Sequence, residues 1–581
     1  MKGQLKKRRV FLACTALLLI LLIAAGTLKE AGQKPGATGG AQDGQHFADD
    51  SRDDSREDSL FREIRFFLHP QKNEYVKLFL PADGVWTAFL PAEFSDRTFT
   101  VSLPAGAALT VGDLTLQDGD RVTAASLQGG SPGTGSLTDA DVGSAVSCAV
   151  TRGSRTEEGK LRVMQAHALP ALYVLMAENG LSAMHEDIDR EERGMYSIRT
   201  AEGTDISSGR CSMHGRGNYS WDREQKPYSF QTQANLSILG MGPAMNYNLI
   251  SNYMGGIWEL RNRFALETAR RIGMDGTPDG RFFDLYVNGE YQGVYFLTEK
   301  VRPRGEYFLE MDYRHQKEPF AVYVENPAKE SLQGGEQSED SAAVGAHYVI
   351  GDPRKPDNAQ IDRIRTQLQE AISSLGAESA RGRAGMPEDG AYEAYFDTPS
   401  WARMYAVQEY FVNWDYDYAS LFLYRDAAAG KFFAGPAWDL EWIAGKLYAG
   451  DYFDLTAHTR WIDDTVFEEQ SMHNGGILKL LGQHRAFHDE ADRVLLEDLI
   501  PAADALAGKE LRTWAKELES SVAMEAVRWG RDSGQFAEEL AVFEKWLGER
   551  SAFLEEQITQ PQSFEKQVVP FAWGKVTEYL K

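Results

Sequence analysis

The sequence predicts an α+β chain: a small all-β module, then a mixed core, then a helical C-terminal part. Three observations carry that reading. Between Leu60 and about Val163, short apolar segments alternate with polar residues and are separated by Gly, Pro and Asp, the pattern of half-buried strands. From Ala168 to Gly450 strand and helix patterns succeed one another, with two hairpins among them. Beyond about Thr456 the pattern is helical to roughly Ile558.

The totals set limits. At 581 residues with 43% hydrophobic content, the chain can bury more than one ordinary core. It carries 61 Lys and Arg against 86 Asp and Glu, a formal charge of −25. Such a surface repels nucleic-acid phosphates, so no nucleic acid is expected as a partner. An acidic chain that binds ATP needs a divalent metal or a local basic pocket to offset the repulsion. Of three cysteines, Cys14 lies in the N-terminal apolar run, leaving Cys148 and Cys211 as a disulfide or as two unrelated thiols. No Cys/His spacing for zinc is present.

Taken in order, residues 1–29 hold Lys2, Lys6, Lys7, Arg8 and Arg9, then an uncharged apolar run, Val10–Leu28. About 20 apolar residues span a bilayer, and a basic flank stays inside. This reads as a transmembrane signal anchor, or as a signal peptide cleaved near Ala24-Ala25-Gly26. The remainder is expected outside the cytoplasm, single-pass at the cell membrane or secreted. Residues 30–58, rich in Gly, Ala, Asp and Ser, make a flexible linker. In the all-β module, residues 59–163, strands are expected at Glu63–Leu68, Tyr75–Leu80, Trp86–Leu90, Thr98–Leu103 and Leu114–Leu116.

The core, residues 164–455, opens with a strand at Ala171–Met176. A glycine-rich loop at Arg210–Tyr219 precedes a strand bearing Lys226, Tyr228 and Phe230. Leu260, Phe264, Leu266, Ala269 and Ile272 mark one face of a helix over Ile257–Ile272, ending at Gly273. Asn288-Gly289 suits a type I′ turn between Phe282–Val287 and Tyr291–Leu297. A Glu/Ser/Gly-rich surface insertion runs from about Ala328 to Gly345. Helices follow at Ile361–Leu375 and Thr398–Val412, the second capped by Ser400 or Thr398. Leu421–Arg425 and Phe432–Gly435 form a second hairpin, and residues 456–581 close the fold with helices.

Three carboxylates flank that second hairpin. Asp415 and Asp417 follow a helix, and Asp439 follows the return strand. Carboxylates held together repel unless they share a proton or a cation, and Mg²⁺ accepts one or two of them while leaving room for phosphate. Protein kinases lay out their catalytic half this way: a loop Asp accepts the substrate hydroxyl proton and a polar residue five positions on binds metal. Ser420 stands five after Asp415, and Asp439 takes the place of the principal metal-binding Asp. In the same plan Lys226 contacts ATP phosphates, with Glu259 or Glu267 as its ion-pair partner. The segment Tyr295–Val301, with Glu299, sits where a hinge receives adenine through its backbone. Trp414, Trp438 and Trp442 wall the site. The plainer roles are turn braces for Arg216 and Asn218, an edge-strand lysine at Lys226, braces at Arg261 and Asn262, and a loop hydrogen-bonder at His214.

The strings His214-Gly215-Arg216-Gly217-Asn218-Tyr219-Ser220-Trp221, Lys226-Pro227-Tyr228, Arg261-Asn262, Leu285 to Tyr295 and Gly435-Pro436-Ala437-Trp438-Asp439 resemble the signatures of the CotH kinase family. They occur in the family's order over about Ala168–Gly450. The resemblance implies an atypical bilobal protein-kinase-like fold that uses ATP with Mg²⁺ or Mn²⁺ and phosphorylates Ser/Thr of surface or spore coat proteins. It matches Asp415 to the catalytic Asp and Asp439 to the metal Asp, with Ser420, Asp417 and Glu441 as further metal positions. Arg216, Asn218, Lys226, Glu299 and Trp438 fall on the nucleotide side. Two positions depart from the pattern: Asp439-Leu440-Glu441 replaces the Asp-x-Asp of many members, and Ser420 stands where many kinases have Asn. The same scaffold also suits a structural or adhesive surface protein, or an enzyme that transfers AMP.

Overall fold

The computed structural model describes residues 58–95, 97–128, 144–217, 219–301, 320–324, 342–343, 348–353, 355–379, 390–413, 416, 420–426, 430–444, 459, 477–532 and 534–561. The apolar run Val10–Leu28, nearly all of the linker, most of the Ala328–Gly345 insertion, and Asn218, Trp414, Asp415 and Asp417 lie outside these residues. Among the described residues no helix is long and apolar enough to cross a membrane. The chain is α+β, and Ser59–Lys581 form one compact unit.

Nine strands build the first sheet: β1 (Arg65–His69), β2 (Glu74–Phe79), β3 (Trp86–Leu90), β4 (Phe99–Ser102), β5 (Ala107–Val111), β6 (Leu114–Gln117), β7 (Arg121–Val122), β8 (Ala145–Arg152) and β9 (Arg155–Gln165). Their order is β6-β5-β8-β9-β3-β2-β1-β4-β7. Alternation sets the faces: Val76 and Leu78, Phe99 and Val101, and Leu109 and Val111 are buried while the residues between them are less so. Together with Phe61, Phe66 and Phe89 they form one apolar core.

The next seven strands close into a barrel. They are β10 (Ala171–Leu175), β11 (Glu192–Arg199), β12 (Asp205–Gly215), β13 (Tyr228–Leu236), β14 (Ala244–Ser251), β15 (Gly280–Val287) and β16 (Glu290–Glu299), ordered β10-β11-β12-β13-β14-β16-β15. A parallel pairing of β10 with β15, from Ala171↔Asp284 to Val174↔Val287, completes the ring. The Asn288-Gly289 turn has both φ angles positive, 48° and 80°, as a type I′ turn requires. The glycine-rich segment expected as a loop is mostly strand. Cys211, Met213 and Gly215 are buried on alternate positions of β12, and a Cβ on Gly215 would come within 2.5 Å of Trp221 and 2.8 Å of Ile188. Glycine there permits close packing; Arg216 and Gly217 leave the strand, and Tyr219 opens a short 3-10 turn.

The first sheet docks on the barrel through Arg199 Nε to Glu74 Oε2, 2.7 Å, and Lys77 N to Gly289 O, 2.8 Å. Cys148 belongs to the sheet core and Cys211 to the barrel core. Both are free thiols, pushed up to about 12 by burial.

Helix α1 (Trp258–Arg271) connects β14 to β15 and ends at Gly273 with φ 77°. Helices α2 (Asn358–Ser379) and α3 (Thr398–Phe411) precede the hairpin of β20 (Phe422–Asp426) and β21 (Lys431–Ala434). With β17 (Phe320–Val324), β18 (Ala342–Ala343) and β19 (Tyr348–Asp352) this hairpin forms a sheet ordered β18-β19-β17-β20-β21. The N-cap of α3 is Asp397, one residue earlier than expected, its carboxylate accepting from Ser400 N at 3.0 Å.

A helical run from Arg485 reaches α4 (Leu511–Trp529), interrupted by two π-helical segments, Val494–Leu499 and Leu506–Glu510. Pro501 follows the first; it has no N–H to donate and its ring crowds the carbonyl four residues back, which a wider turn relieves. Helix α5 (Gln535–Ile558) then packs on α3, where buried Arg550 Nη2 meets buried Glu409 Oε1 at 2.7 Å. Helix α4 is tied to the barrel by Ser521 and Glu525. Ser521 Oγ donates to Asp284 Oδ2 at 2.8 Å. Glu525 accepts from Val294 N, Gln225 and Asn252 at 2.7–2.8 Å.

Candidate active site

The chain leaves β21 in an irregular segment whose course is fixed by side chains of other elements. Gly435 has φ 125° and precedes a cis Pro436. Ala437 N donates to Thr277 Oγ1 at 3.2 Å, Leu440 N to Asn262 Oδ1 at 3.2 Å, and Ala444 N to Phe411 O at 2.8 Å. Arg261 Nη1 donates to Ile443 O at 3.4 Å. The Arg261-Asn262 pair of α1 therefore braces the loop that carries Asp439 and Glu441. Asp439 sits at φ 61° and Ser420 at φ 65°, both in the left-handed region, a conformation that costs energy outside glycine and concentrates at functional sites.

Ser420 Oγ donates to Asp439 Oδ2 at 2.9 Å, joining the two sides of the hairpin. Glu441 accepts from Tyr253 OH at 3.1 Å and from Trp258 Nε1 at 3.2 Å. Glu259, fully buried in the first turn of α1, accepts Asn262 Nδ2 at 3.0 Å on one oxygen; the other has no hydrogen-bond donor. The Glu441 carboxyl interacts with that of Glu259. Burial, then the charge of Asp439, push Glu441 up to about 7, and burial, then Glu441, push Glu259 well above the usual carboxylate range. Two such carboxyls ionise together only beside a cation; otherwise they hold a proton between them. Two cations act on them, Arg261 of α1 and, from the end of β12, Arg216. Burial lowers the pKa of Arg216, while Asp439, Glu441 and Glu259 act against that lowering, and its guanidinium carbon lies 5.9 Å from the centre of the Trp438 ring.

Arg216 and Trp438 also line a cleft of about 340 Å³ between the barrel and the β20–β21 hairpin. His214, Asn248 and Lys300 approach from the barrel side, Phe422 and Trp438 from the hairpin side. The volume falls within the range of small-molecule sites, about 300–1,000 Å³.

Of the residues singled out in the sequence, Arg216, Ser420, Trp438, Asp439 and Glu441 meet here. Lys226 does not engage Glu259 or Glu267. Its ammonium donates to Trp221 O at 2.7 Å and Arg223 O at 3.3 Å and lies 4.8 Å from the Trp221 ring, because the turn Tyr219–Asp222 wraps around it. Glu267 pairs instead with Arg270 and Arg271, each at 3.1 Å. Glu299 ends β16, whose two edges pair with β14 and β15. Its amide donates to Asp279 O at 3.3 Å, its carboxylate accepts Asp279 N at 3.2 Å, and Lys300 N donates to Asn246 O at 3.0 Å. These backbone groups serve the barrel. Asn218, Asp415 and Asp417 lie outside the described residues.

The sequence reading gave Glu259 a different partner and assigned Tyr253 no role. The available signal was the run Glu259, Arg261 and Asn262: polar residues that share a helix with the core markers Leu260 and Phe264. Among the described residues no three His, Cys, Asp or Glu side chains form a group able to hold a metal ion. Asp439 and Glu441 remain compatible with Mg²⁺, which takes one or two carboxylates and completes its shell with water and phosphate. The donor-less oxygen of Glu259 fits the same demand for a nearby cation.

A model of the CotH kinase protein family matches residues 213–554, more than half of the chain. The match begins on β12, just before Arg216, and runs past Asp439 into α5. No curated protein matches the chain.

Proposed function

The chain belongs to the CotH kinase family, and from that premise we propose that it is a metal-dependent kinase passing the γ-phosphate of ATP to Ser/Thr hydroxyls of surface or spore coat proteins. The observation that carries the proposal is the barrel-borne cation Arg216, which lines the cleft with Trp438 and acts electrostatically on the loop-borne carboxylates Asp439 and Glu441. In the bilobal reading the barrel is one lobe, the helices around α3 and α5 are the other, and the cleft between them takes ATP. The basic N-terminal flank and Val10–Leu28 set this activity outside the cell membrane, as an anchored or secreted protein.

Each residue has a part. Arg216 contacts phosphate oxygens, a role suited to a planar fork of donors. Trp438 covers the cleft beside it and excludes water. Asp439, oriented by the Ser420 hydroxyl, presents a carboxylate to Mg²⁺ or Mn²⁺, and Glu441 stands behind it. When bound, the metal neutralises charge on the phosphates and draws their oxygens into line for transfer. Asp415, five residues before Ser420, is assigned the proton of the acceptor hydroxyl by the order of the motifs.

A second reading, a catalytically weak or inactive surface protein on the same fold, draws on Lys226, whose ammonium is engaged by backbone carbonyls. Incubation with γ-labelled ATP and Mg²⁺ or Mn²⁺ separates the two. Label on the wild type that is lost in Asp439→Ala, with the melting curve retained, is the expected result. Equal label on both proteins overturns the kinase assignment. Label from α-labelled but not γ-labelled ATP replaces it with AMP transfer.

A further inference from the structure

A second cleft, of about 410 Å³, opens beside the C-terminal half of α1 and shares no lining residue with the cleft of Arg216 and Trp438. Its walls include Arg263 and Arg270 of α1, Asp279 and Arg281 at the start of β15, Phe296 and Trp514. Three guanidinium groups at one pocket are conspicuous in a chain with a net charge of −25. Two of them have counter-ions. Asp279 Oδ1 lies 2.9 Å from Arg270 Nη1 and 2.5 Å from Arg281 Nη1, and Arg270 also meets Glu267 at 3.1 Å.

Arg263 is different. Among the described residues it has no ion pair and no hydrogen bond. It is only partly exposed, and its guanidinium carbon lies 4.1 Å from the centre of the Trp514 ring and 5.3 Å from that of Phe282. Stacking of this kind holds the plane of the group but leaves its edge N–H donors unused, and arginine has five. Burial and the like charge of Arg281 push its pKa down to about 10, while Glu517, Asp279 and Glu267 act against that lowering. A bound anion would act with these carboxylates.

We propose that this cleft is a binding site for a phosphate-bearing anion, with Arg263 as its fork and Arg281 as its second contact. A carboxylate is the weaker candidate, because two already line the cleft: Asp279 holds Arg270 and Arg281, and Glu267 holds Arg270. An entering ligand has to compete with Asp279, and a phosphate brings about two negative charges and three strong acceptor oxygens against a single charge. The cleft lies in the range of small-molecule sites, about 300–1,000 Å³, so a phosphomonoester is accommodated with its organic part along Trp514 and Phe296.

The test is titration calorimetry of the protein with inorganic phosphate and with phenyl phosphate, in a phosphate-free buffer without metal or nucleotide. Both bind the wild type. Arg263→Gln weakens both by about tenfold to a hundredfold, the size of a lost hydrogen bond between charged groups. Arg263→Lys, which keeps the charge and loses the fork, also weakens them, and Asp279→Asn tightens them by removing the competing carboxylate. Melting curves confirm the fold of each variant; if Arg263→Gln does not fold, Arg263→Lys and Asp279→Asn carry the decision. Tighter binding of phenyl phosphate marks an ester as the ligand, and equal binding marks free phosphate. No binding by the wild type overturns the proposal. So does binding that survives Arg263→Gln but vanishes in Arg216→Gln, which would assign the anion to the cleft of Arg216 and Trp438.

Discussion

Replacing Asp284 by asparagine tests the account of how α4 is held to the barrel. Asp284 is fully buried on β15, accepting Ser521 Oγ at 2.8 Å and Tyr291 OH at 2.9 Å, and burial raises its pKa from 3.8 to about 7. Between those two values the folded protein binds more protons than the unfolded chain, so stability falls as pH rises. The contribution is full below the unfolded value and is lost as pH passes through the folded one. Linkage over this interval gives a loss of about 2–3 kcal/mol between pH 5 and pH 8. Asparagine has the shape of the protonated acid and does not titrate; the Ser521 hydroxyl can turn to accept from its amide. Urea unfolding of wild type and Asp284→Asn at both pH values measures the effect. Glu93 and Glu441 are also raised to about 7, so both proteins lose stability on the alkaline side, but the variant loses less by about 2–3 kcal/mol. Parallel pH profiles would refute the reasoning.

Arg550→Ala leaves Glu409 charged and buried, an expected loss of about 3–5 kcal/mol, read as a lower melting temperature; Arg550→Met with Glu409→Leu recovers most of it. Asn262→Ala removes the acceptor of Leu440 N and the donor to Glu259, costing about 1–3 kcal/mol. Because that loop carries Asp439, the phosphoryl transfer proposed above, assayed at a temperature where the variant is folded, is expected to fall as well. Gly215→Ala sets a Cβ against Trp221 and Ile188, an overpacking cost of about 1–3 kcal/mol visible in thermal unfolding.

Local chemistry was legible in the sequence wherever it had a period or a turn signal. The alternation in Tyr75–Leu80, the three- and four-residue spacing in α1 and the Asn288-Gly289 turn all describe what the backbone does. Barrel closure was not legible, because the parallel pairing of β10 with β15 joins strands more than a hundred residues apart and leaves no local trace. The segment Arg210–Tyr219 misled for a related reason: Gly215 and Gly217 suggest a loop, whereas Gly215 is small because Trp221 packs on it. At the site, the acidic residues were visible, but the company they keep was not. Glu259 looked like a lysine partner, and only the path of the loop against Asn262 puts it beside Glu441. Lys226 went the other way: the strand expected to carry it begins only at Tyr228, and nothing in its sequence neighbourhood announces that the preceding turn offers its ammonium the carbonyls of Trp221 and Arg223.

The two π-helical segments ahead of α4 act as a phase adjustment. Each residue of an α-helix advances the face by about 100°, and a π turn takes up one residue more than an α turn. Val494–Leu499 and Leu506–Glu510 therefore set the azimuth at which α4 arrives at the barrel, independently of where the run starts at Arg485. Ser521 and Glu525, four residues apart, share the face that the adjustment delivers to Asp284 and Val294. Deleting one residue of α4 ahead of Ser521 would leave both π segments intact and swing that face by about 100°, carrying both side chains off the barrel. The length of this run is thereby constrained residue by residue, although its composition is free over much of its outer surface.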